Sequence, residues 1–351
     1  MRSFPGFLYT LQSQLESISP QIIDRINRPG GLDLHDLISL VLNPKDSTVD
    51  CPELVDASEI THYEEATDAA KIAGDSLVDE GKVAFCILAG GAGTRIGAPK
   101  CFLDIPASED TLLTKKIKQA SSLKDVWVIT SPELSLRVKQ HIKERGLERK
   151  GLEIVEQYES LRLTADNQVY LNSLGEPSLY PCGHGDVVPA LINSGLIEKF
   201  LQRQGKHVYV TNVDNYAGCP DSRIFGMHDL NNNFVTCEVI KKKTGDRGGV
   251  LCKHLGVNQI VETFRMSLET DVDQFKFLNT NSMIFRADLP FDKIKWTWHR
   301  VKKIVDNQVV VQYERLLQQL TEVYKTQFVE VDRSRFFPVK NADDLQNIVN
   351  L

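Results

Sequence analysis

Val83-Ala84-Phe85-Cys86-Ile87-Leu88-Ala89 runs directly into Gly90-Gly91-Ala92-Gly93-Thr94-Arg95-Ile96-Gly97-Ala98-Pro99-Lys100, and the reading of this junction decides the fold. An unbroken apolar run bounded by glycine reads as a strand buried on both faces of a parallel sheet. Downstream, apolar strands over 126–130 and 207–212 alternate with helical stretches over 112–122, 132–145 and 187–204, the order of right-handed βαβ units. The predicted fold class is therefore α/β: a Rossmann-like central sheet, mixed but mainly parallel, flanked by helices. The glycine stretch follows the carboxyl end of its strand, where open α/β sheets bind ligands. Glycines let backbone N–H groups approach phosphates closely, and Arg95 and Lys100 add charge suited to a triphosphate. A tight strand-to-helix turn is the other use of such a stretch.

Two common phosphate loops do not fit. The dinucleotide fingerprint needs a third glycine where Ile96 stands and an acidic residue where the second strand ends in Thr130-Ser131. The P-loop needs Gly-Lys followed by Ser or Thr, whereas Gly97 precedes Ala98 and Lys100 precedes Cys101.

Around this junction, residues 6–45 alternate short helical segments with Pro20, Pro29, Gly30 and Pro44, and 56–80 has helical composition. Residues 1–80 thus read as a helical N-terminal segment preceding a catalytic domain over 81–351. Later strands at 234–240, 249–253, 259–264 and 277–285 are closely spaced and predict an antiparallel extension. Val309, Tyr313, Leu316, Leu317 and Leu320 fall on one helical stripe, which predicts a helix over 308–324.

The totals narrow the function. With 351 residues, 42% hydrophobic and 25% charged, the chain has the composition of a globular protein large enough for a sizeable core. A net charge of -6 argues against nucleic acid as a partner. Absence of a long apolar run or a secretory h-region argues against a membrane and for the cytoplasm. Seven scattered cysteines without a C-x-x-C pair read as reduced thiols.

The glycine stretch resembles the G-G-x-G-T-R…P-K signature of sugar-nucleotide pyrophosphorylases, which implies a nucleotidyltransferase fold. Only Ala98 separates Gly97 from Pro99, a shorter connection than in most eukaryotic members. Further segments match in the family's order. Tyr180-Pro181-Cys182-Gly183-His184-Gly185-Asp186 resembles the P-x-G-H-G-D segment of UTP–glucose-1-phosphate uridylyltransferases, which implies that Gly183 lies against uracil and His184 reaches the sugar phosphate. Asp186 fits a helix cap or a ligand contact equally. Glu156-Gln157-Tyr158 resembles the strand end whose glutamine, here Gln157, bonds the uracil edge. Asn212-Val213-Asp214-Asn215 matches N-x-D-N, and a carboxylate at a strand end can hold Mg²⁺ against a triphosphate.

Glu238-Val239-Ile240-Lys241 with Gly248-Gly249-Val250-Leu251, and Asn279-Thr280-Asn281, resemble the family's sugar-pocket segments. This makes Asn212, Gly249, Glu262, Asn279 and Asn281 the sugar-binding candidates. Arg333-Ser334-Arg335-Phe336-Phe337-Pro338-Val339-Lys340 resembles R-S-R-F-x-P-V-K, whose lysine contacts the reacting phosphates. The resemblance thus implies transfer of a uridylyl group from UTP to a sugar 1-phosphate, glucose 1-phosphate leading. Leu88, Gly90, Gly91, Gly93, Thr94, Gln157 and Gly183 are expected on the nucleotide, Asp214 on Mg²⁺, and Lys100, Arg95 and Lys340 in catalysis. The alternatives are the N-acetylglucosamine 1-phosphate enzyme and a non-catalytic sensor. Many eukaryotic members continue into a β-helical domain; because this chain ends at Leu351, no such domain and a monomer or weak oligomer are expected.

Overall fold

The computed structural model describes Leu11, residues 13–91, Gly93 and residues 97–348. Its frame is a ten-stranded sheet. The strands that matter here are β1 (Val83–Leu88), β2 (Asp125–Thr130), β3 (Leu152–Glu156), β4 (His207–Asn212), β5 (Val235–Lys241), β6 (Gly249–His254), β7 (Val257–Glu262), β8 (Phe277–Arg286), β9 (His299–Val305), β10 (Gln308–Glu314) and β11 (Thr326–Glu330). The sheet order is Thr61–His62, β11, β5, β8, β4, β1, β2, β3. All neighbours run parallel except at β8, which is antiparallel to both β4 and β5. β6 pairs with both β7 and β8 and extends the sheet in the antiparallel sense. The sheet is therefore mixed and mainly parallel.

Alternation along β1 shows why its sequence is apolar throughout. Ala84 and Cys86 enter one core, Val83, Phe85 and Ile87 the other, and none is exposed. Trp127 and Ile129 of β2 join the first core, Val126 and Val128 the second. Helices α1 (Pro20–Ile26), α2 (Leu34–Leu42), α3 (Asp68–Glu80), α4 (Leu112–Gln119), α5 (Pro132–Glu144), α6 (Val187–Asn193), α7 (Leu196–Gln202) and α8 (Ser222–Leu230) supply much of the covering surface. Leu15, Ile18, Ile26, Leu37 and Val41 belong to the first core, whereas Ala70 and Leu77 of α3 belong to the second. The N-terminal residues thus cover both faces of the sheet.

Three local expectations are corrected. Residues 308–324 are not one helix: 308–314 form β10, followed by a 3-10 turn at Leu317–Gln319 and a short helix at Leu320–Val323. The apolar stripe is real, but β-branched Val309-Val310-Val311 favour a strand. Asp306 and Asn307, at φ 49° and 60°, make a two-residue hairpin turn between β9 and β10. The stretch 187–204 breaks into α6 and α7 at Gly195, whose φ is 73°. Within 56–80, the α-helix starts only at Asp68, where Thr67 caps it; before it, Thr61–His62 is a strand paired with β11.

α3 and α8 cross in close contact because both have glycine at the crossing. A Cβ on Gly74 would come 1.7 Å from the Ser222 carbonyl oxygen, and one on Gly226 equally close to that of Ala70. Gly226→Ala overpacks this crossing and should destabilise the fold by about 1–3 kcal/mol. Urea unfolding should show a lower midpoint with an unchanged slope.

Candidate active site

Register places the site. Leu88 at the end of β1 lies opposite Asn212 of β4 and Ile129 of β2, and Thr130 lies opposite Glu156 of β3. The residues that follow these strand ends, Gly90, Asp214 and Gln157, consequently emerge on the same side of the sheet. They line one open cavity of about 670 Å³.

The glycine loop is shaped by contacts that exclude side chains. A Cβ on Gly90 would sit 2.3 Å from Oε1 of buried Gln157. Gly93, at φ 62°, would place one 1.9 Å from the Ala98 carbonyl oxygen, because Ala98 lies against Gly93 just before Pro99. Lys100 then enters a short 3-10 turn anchored by buried Cys101. Its ammonium donates to Asp214 Oδ2 at 2.6 Å. Asp214 is held through its backbone: its carbonyl accepts from Val339 N–H at 2.8 Å, and the preceding Val213 N–H donates to the Leu88 carbonyl at 3.0 Å. The flexible lysine is thus paired with a carboxylate fixed at the end of β4.

At the far end of the cavity, Gly183 adopts φ 96° and lies so close to Arg315 that a Cβ would be 2.5 Å from the Arg315 carbonyl oxygen. His184 follows. Its Nδ1 accepts the Leu317 N–H at 3.0 Å, which leaves Nε2 as the proton-bearing nitrogen. Burial, with a further contribution from the Lys303 charge, pushes its pKa down to about 4, so the ring is neutral at pH 7. Asp186 occupies the N-cap position of α6, but its side chain neither bonds the helix end nor lines the cavity: it is buried and ion-paired with Arg315 Nε. The guanidinium of Arg315 also donates to the Gly30 carbonyl and stacks 4.5 Å from the Trp298 ring centroid.

Of the predicted residues, Leu88, Gly90, Gly91, Gly93, Lys100, Gln157, Gly183, His184, Asn212 and Asp214 line the cavity. Leu88, His184 and Asn212 also border a small recess with Asn279, Asn281 and Gln318. There Asn279 Nδ2 donates to Asn281 Oδ1 at 2.7 Å, and Asn281 takes φ 58° in an irregularity between Asn279 and Met283 of β8. Such bulges re-aim side chains next to binding sites. Glu262 and Gly249 stand behind the recess: Glu262 Oε1 accepts from Gln318 Nε2 at 2.6 Å, and Gly249 leaves room for that carboxylate. Burial, then the charge of Glu314, pushes the Glu262 carboxyl up to about 7.

The structure does not bring the Lys340 side chain into the cavity. Lys340 is exposed, although its backbone directly follows the Val339–Asp214 contact. Thr94 and Arg95 lie outside the described residues.

Sequence reasoning missed the β9–β10 hairpin, which brings Lys302, Lys303, Ile304, Gln312 and Glu314 to the cavity, and it missed Arg162 and Tyr180. The Asp-Asn turn between two alternating runs was the available signal. Among the described lining residues, Lys100, Arg162, Lys302 and Lys303 outnumber Asp214 and Glu314, which suits a polyanion. None of the described lining residues is Ser, Thr or Cys. Asp214 offers a divalent ion one protein carboxylate, a donor set that fits a metal sharing its remaining positions with phosphate oxygens and water. The tightest acidic group among the described residues, Asp33, His35 and Asp36, is instead a largely exposed helix-capping cluster on α2.

Comparison with known proteins then places this arrangement. The family model described as UTP–glucose-1-phosphate uridylyltransferase matches residues 37–350. The chain belongs to this family. A curated relative from Encephalitozoon cuniculi, named UTP–glucose-1-phosphate uridylyltransferase, is 26% identical over 285 residues, covering 75% of this chain and 57% of the relative. The chain therefore spans a little over half the length of that relative. A mutant of UDP-glucose pyrophosphorylase from Leishmania major superposes with a TM-score of 0.75 at 19% identity, covering 98% of this chain and 79% of that one. The UDP-N-acetylglucosamine pyrophosphorylase from Trypanosoma brucei gives 0.68 at 18% identity, covering 100% and 79%. Both establish the shared nucleotidyltransferase fold.

His184 carries a pH signature. His184 has an ordinary pKa of 6.5 unfolded and about 4 folded, so between those values the unfolded chain binds the extra proton more readily. Its contribution to stability should be intact above pH 6.5 and decline as pH falls towards 4. In an NMR titration the His184 ring signals should stay at their neutral positions down to about pH 5. His184→Asn should flatten the loss of stability over that range.

Proposed function

We propose that this chain transfers a uridylyl group from UTP to a sugar 1-phosphate, with glucose 1-phosphate the leading acceptor, and releases pyrophosphate. The observation that carries this reading is the convergence, in one cavity, of the glycine loop, the Lys100–Asp214 pair, Gln157, and the neutral His184 beside the asparagine recess. Uracil would lie along Gly90 and Gly183, with its edge on Gln157. The sugar would occupy the recess formed by Asn212, Asn279 and Asn281, backed by Glu262.

The chemistry asks the protein to hold two anions in line and to balance charge that moves from the attacking oxygen to the leaving pyrophosphate. A phosphate oxygen of the sugar 1-phosphate forms the new bond to the α-phosphorus of UTP as the bond to the β-phosphate oxygen breaks. No protein nucleophile is required, in keeping with the lining. His184 donates from Nε2 to the sugar phosphate without adding a proton to the balance. Lys100 exchanges its carboxylate partner for the β- and γ-phosphates, leaving Asp214 available to Mg²⁺. When bound, Mg²⁺ supplies electrostatic stabilisation of the phosphates. By the family resemblance Arg95 joins Lys100 at the triphosphate, and Lys340, whose exposed side chain lies outside the cavity, would have to turn inward to act at the α-phosphate. The free cysteines suit a reducing compartment, the cytoplasm, and no helix among the described residues is long and apolar enough to cross a membrane.

A pyrophosphate-release assay with Mg²⁺ tests the reading, comparing the nucleoside triphosphates with glucose, galactose and N-acetylglucosamine 1-phosphates. Release with UTP and glucose 1-phosphate is expected; preference for the acetylated sugar would reassign the acceptor, and UTP binding without release would mark a sensor. Asp214→Asn should lower kcat by roughly 100-fold or more, the scale of losing one charge-stabilising group. Lys340→Ala should lower kcat far more than UTP affinity, and an unchanged kcat removes Lys340 from the mechanism.

A further inference from the structure

Helix α4 carries a lysine in a place where lysine is costly. Lys116 is 1% exposed. Its ammonium donates to the Gly218 carbonyl, in the loop that follows Asp214. Burial pushes its pKa down to about 7; the Cys219 thiol and the carboxylates of Asp214 and Glu238 oppose that shift, and Arg335 reinforces it. Protonated or neutral, the side chain keeps an N–H for the carbonyl.

The bond belongs to a brace. One turn further along α4, Gln119 Nε2 donates to the Tyr216 carbonyl at 3.1 Å, so the helix grips the same loop twice. The loop is closed on itself by Gly218 N–H donating to the Asn215 carbonyl at 3.1 Å. Gly218 has no room for a side chain, since a Cβ would meet Asn215 Nδ2 at 2.5 Å. At its other end, α4 is tied to the segment that carries Lys100: Leu112 N–H donates to the Leu103 carbonyl at 3.0 Å, and Asp104 bridges to Thr111. A single helix therefore links the exit of the glycine loop to the loop after the metal-binding carboxylate.

We infer that Lys116 is a positioning residue, whose hydrogen bond to the Gly218 carbonyl fixes the loop presenting Asp214 relative to Lys100. The inference rests on the proposed role of Asp214 and extends it to a residue that touches neither substrate nor metal. Partners that orient a metal ligand from outside its coordination sphere typically cost 10–100-fold in affinity or activity when removed. Lys116 belongs to that class of effect.

The test compares the parent chain with Lys116→Met, which keeps apolar bulk without a donor, and Lys116→Gln, which keeps an N–H donor without charge. Three quantities are read: circular dichroism with thermal unfolding, Mn²⁺ binding in the presence of UTP by electron paramagnetic resonance, and steady-state pyrophosphate release. With a parental dichroism spectrum, Lys116→Met should weaken Mn²⁺ binding and lower kcat by about tenfold or more, while KM for glucose 1-phosphate changes less than about twofold. Lys116→Gln should recover most of both losses. Parental Mn²⁺ affinity and kcat in Lys116→Met would overturn the inference, and so would a Lys116→Gln variant no better than Lys116→Met. If Lys116→Met does not fold, Gln119→Ala, which removes the second donor to the loop, must shift Mn²⁺ affinity in the same direction; no shift overturns the brace. A parent chain without turnover refutes the uridylyltransferase reading separately, because the Mn²⁺–UTP measurement still decides the role of Lys116.

Discussion

The buried guanidinium of Arg315 is the interaction on which the arrangement of the cavity depends. It joins four parts of the chain that are distant in sequence: Asp186 after the Gly183–His184 turn, the Gly30 carbonyl of the N-terminal segment, the ring of Tyr158 next to Gln157, and Trp296 and Trp298 leading into β9. A guanidinium suits this position because it forks towards two acceptors in its plane while its faces rest on aromatic rings. Asp186 shows how strongly the surroundings resist charge: burial pushes its carboxyl up to about 6 even with Arg315 opposing the shift. Taking either partner away would strand the other as an unpaired buried ion, a loss of about 3–5 kcal/mol. The N-terminal residues are consequently part of the wall behind the site.

The second organising pair, Lys100 and Asp214, has a different character. Both side chains are partly open to solvent, so the pair can separate without either charge being stranded in an apolar interior. Opposite charges held together in the absence of ligand keep the floor of the cavity from repelling itself, and each remains available to a partner of higher charge. This division runs through the whole site. Rigid elements such as Gly90, Gly183 and the backbone of Asp214 set distances, while a few long side chains adapt.

Much of this was legible in the sequence because the decisive signals were local. The apolar run of β1 and the glycines after it specify a buried strand and a loop without side chains, and the structure shows the carbonyls and amide that those glycines avoid. Asp214 could be singled out because a strand delivers it at its carboxyl end within a segment resembling the family's, and His184 because the segment around it resembles the family's, with the Pro-x-Gly turn fixing where it emerges. The hairpin of β9 and β10 was hidden for a physical reason. Its apolar residues repeat at intervals that satisfy a helix as well as a strand, and only the Asp306-Asn307 turn separates the two. For Lys340 the local motif reaches only as far as the backbone, which docks against Asp214 through Val339 while the side chain stays exposed. Lys116 carries no motif at all; its burial arises from the packing of α4 beneath a loop about a hundred positions away.

The pairing of Thr61–His62 with β11 has a consequence for how the molecule comes into being. Thr61 and His62 leave the ribosome long before Val329 and Glu330, the strand residues they pair with among the described residues. During synthesis the edge of the sheet they complete does not exist. Closing this edge of the sheet therefore means joining segments more than 260 residues apart, a contact of high sequence separation that a folding chain reaches slowly.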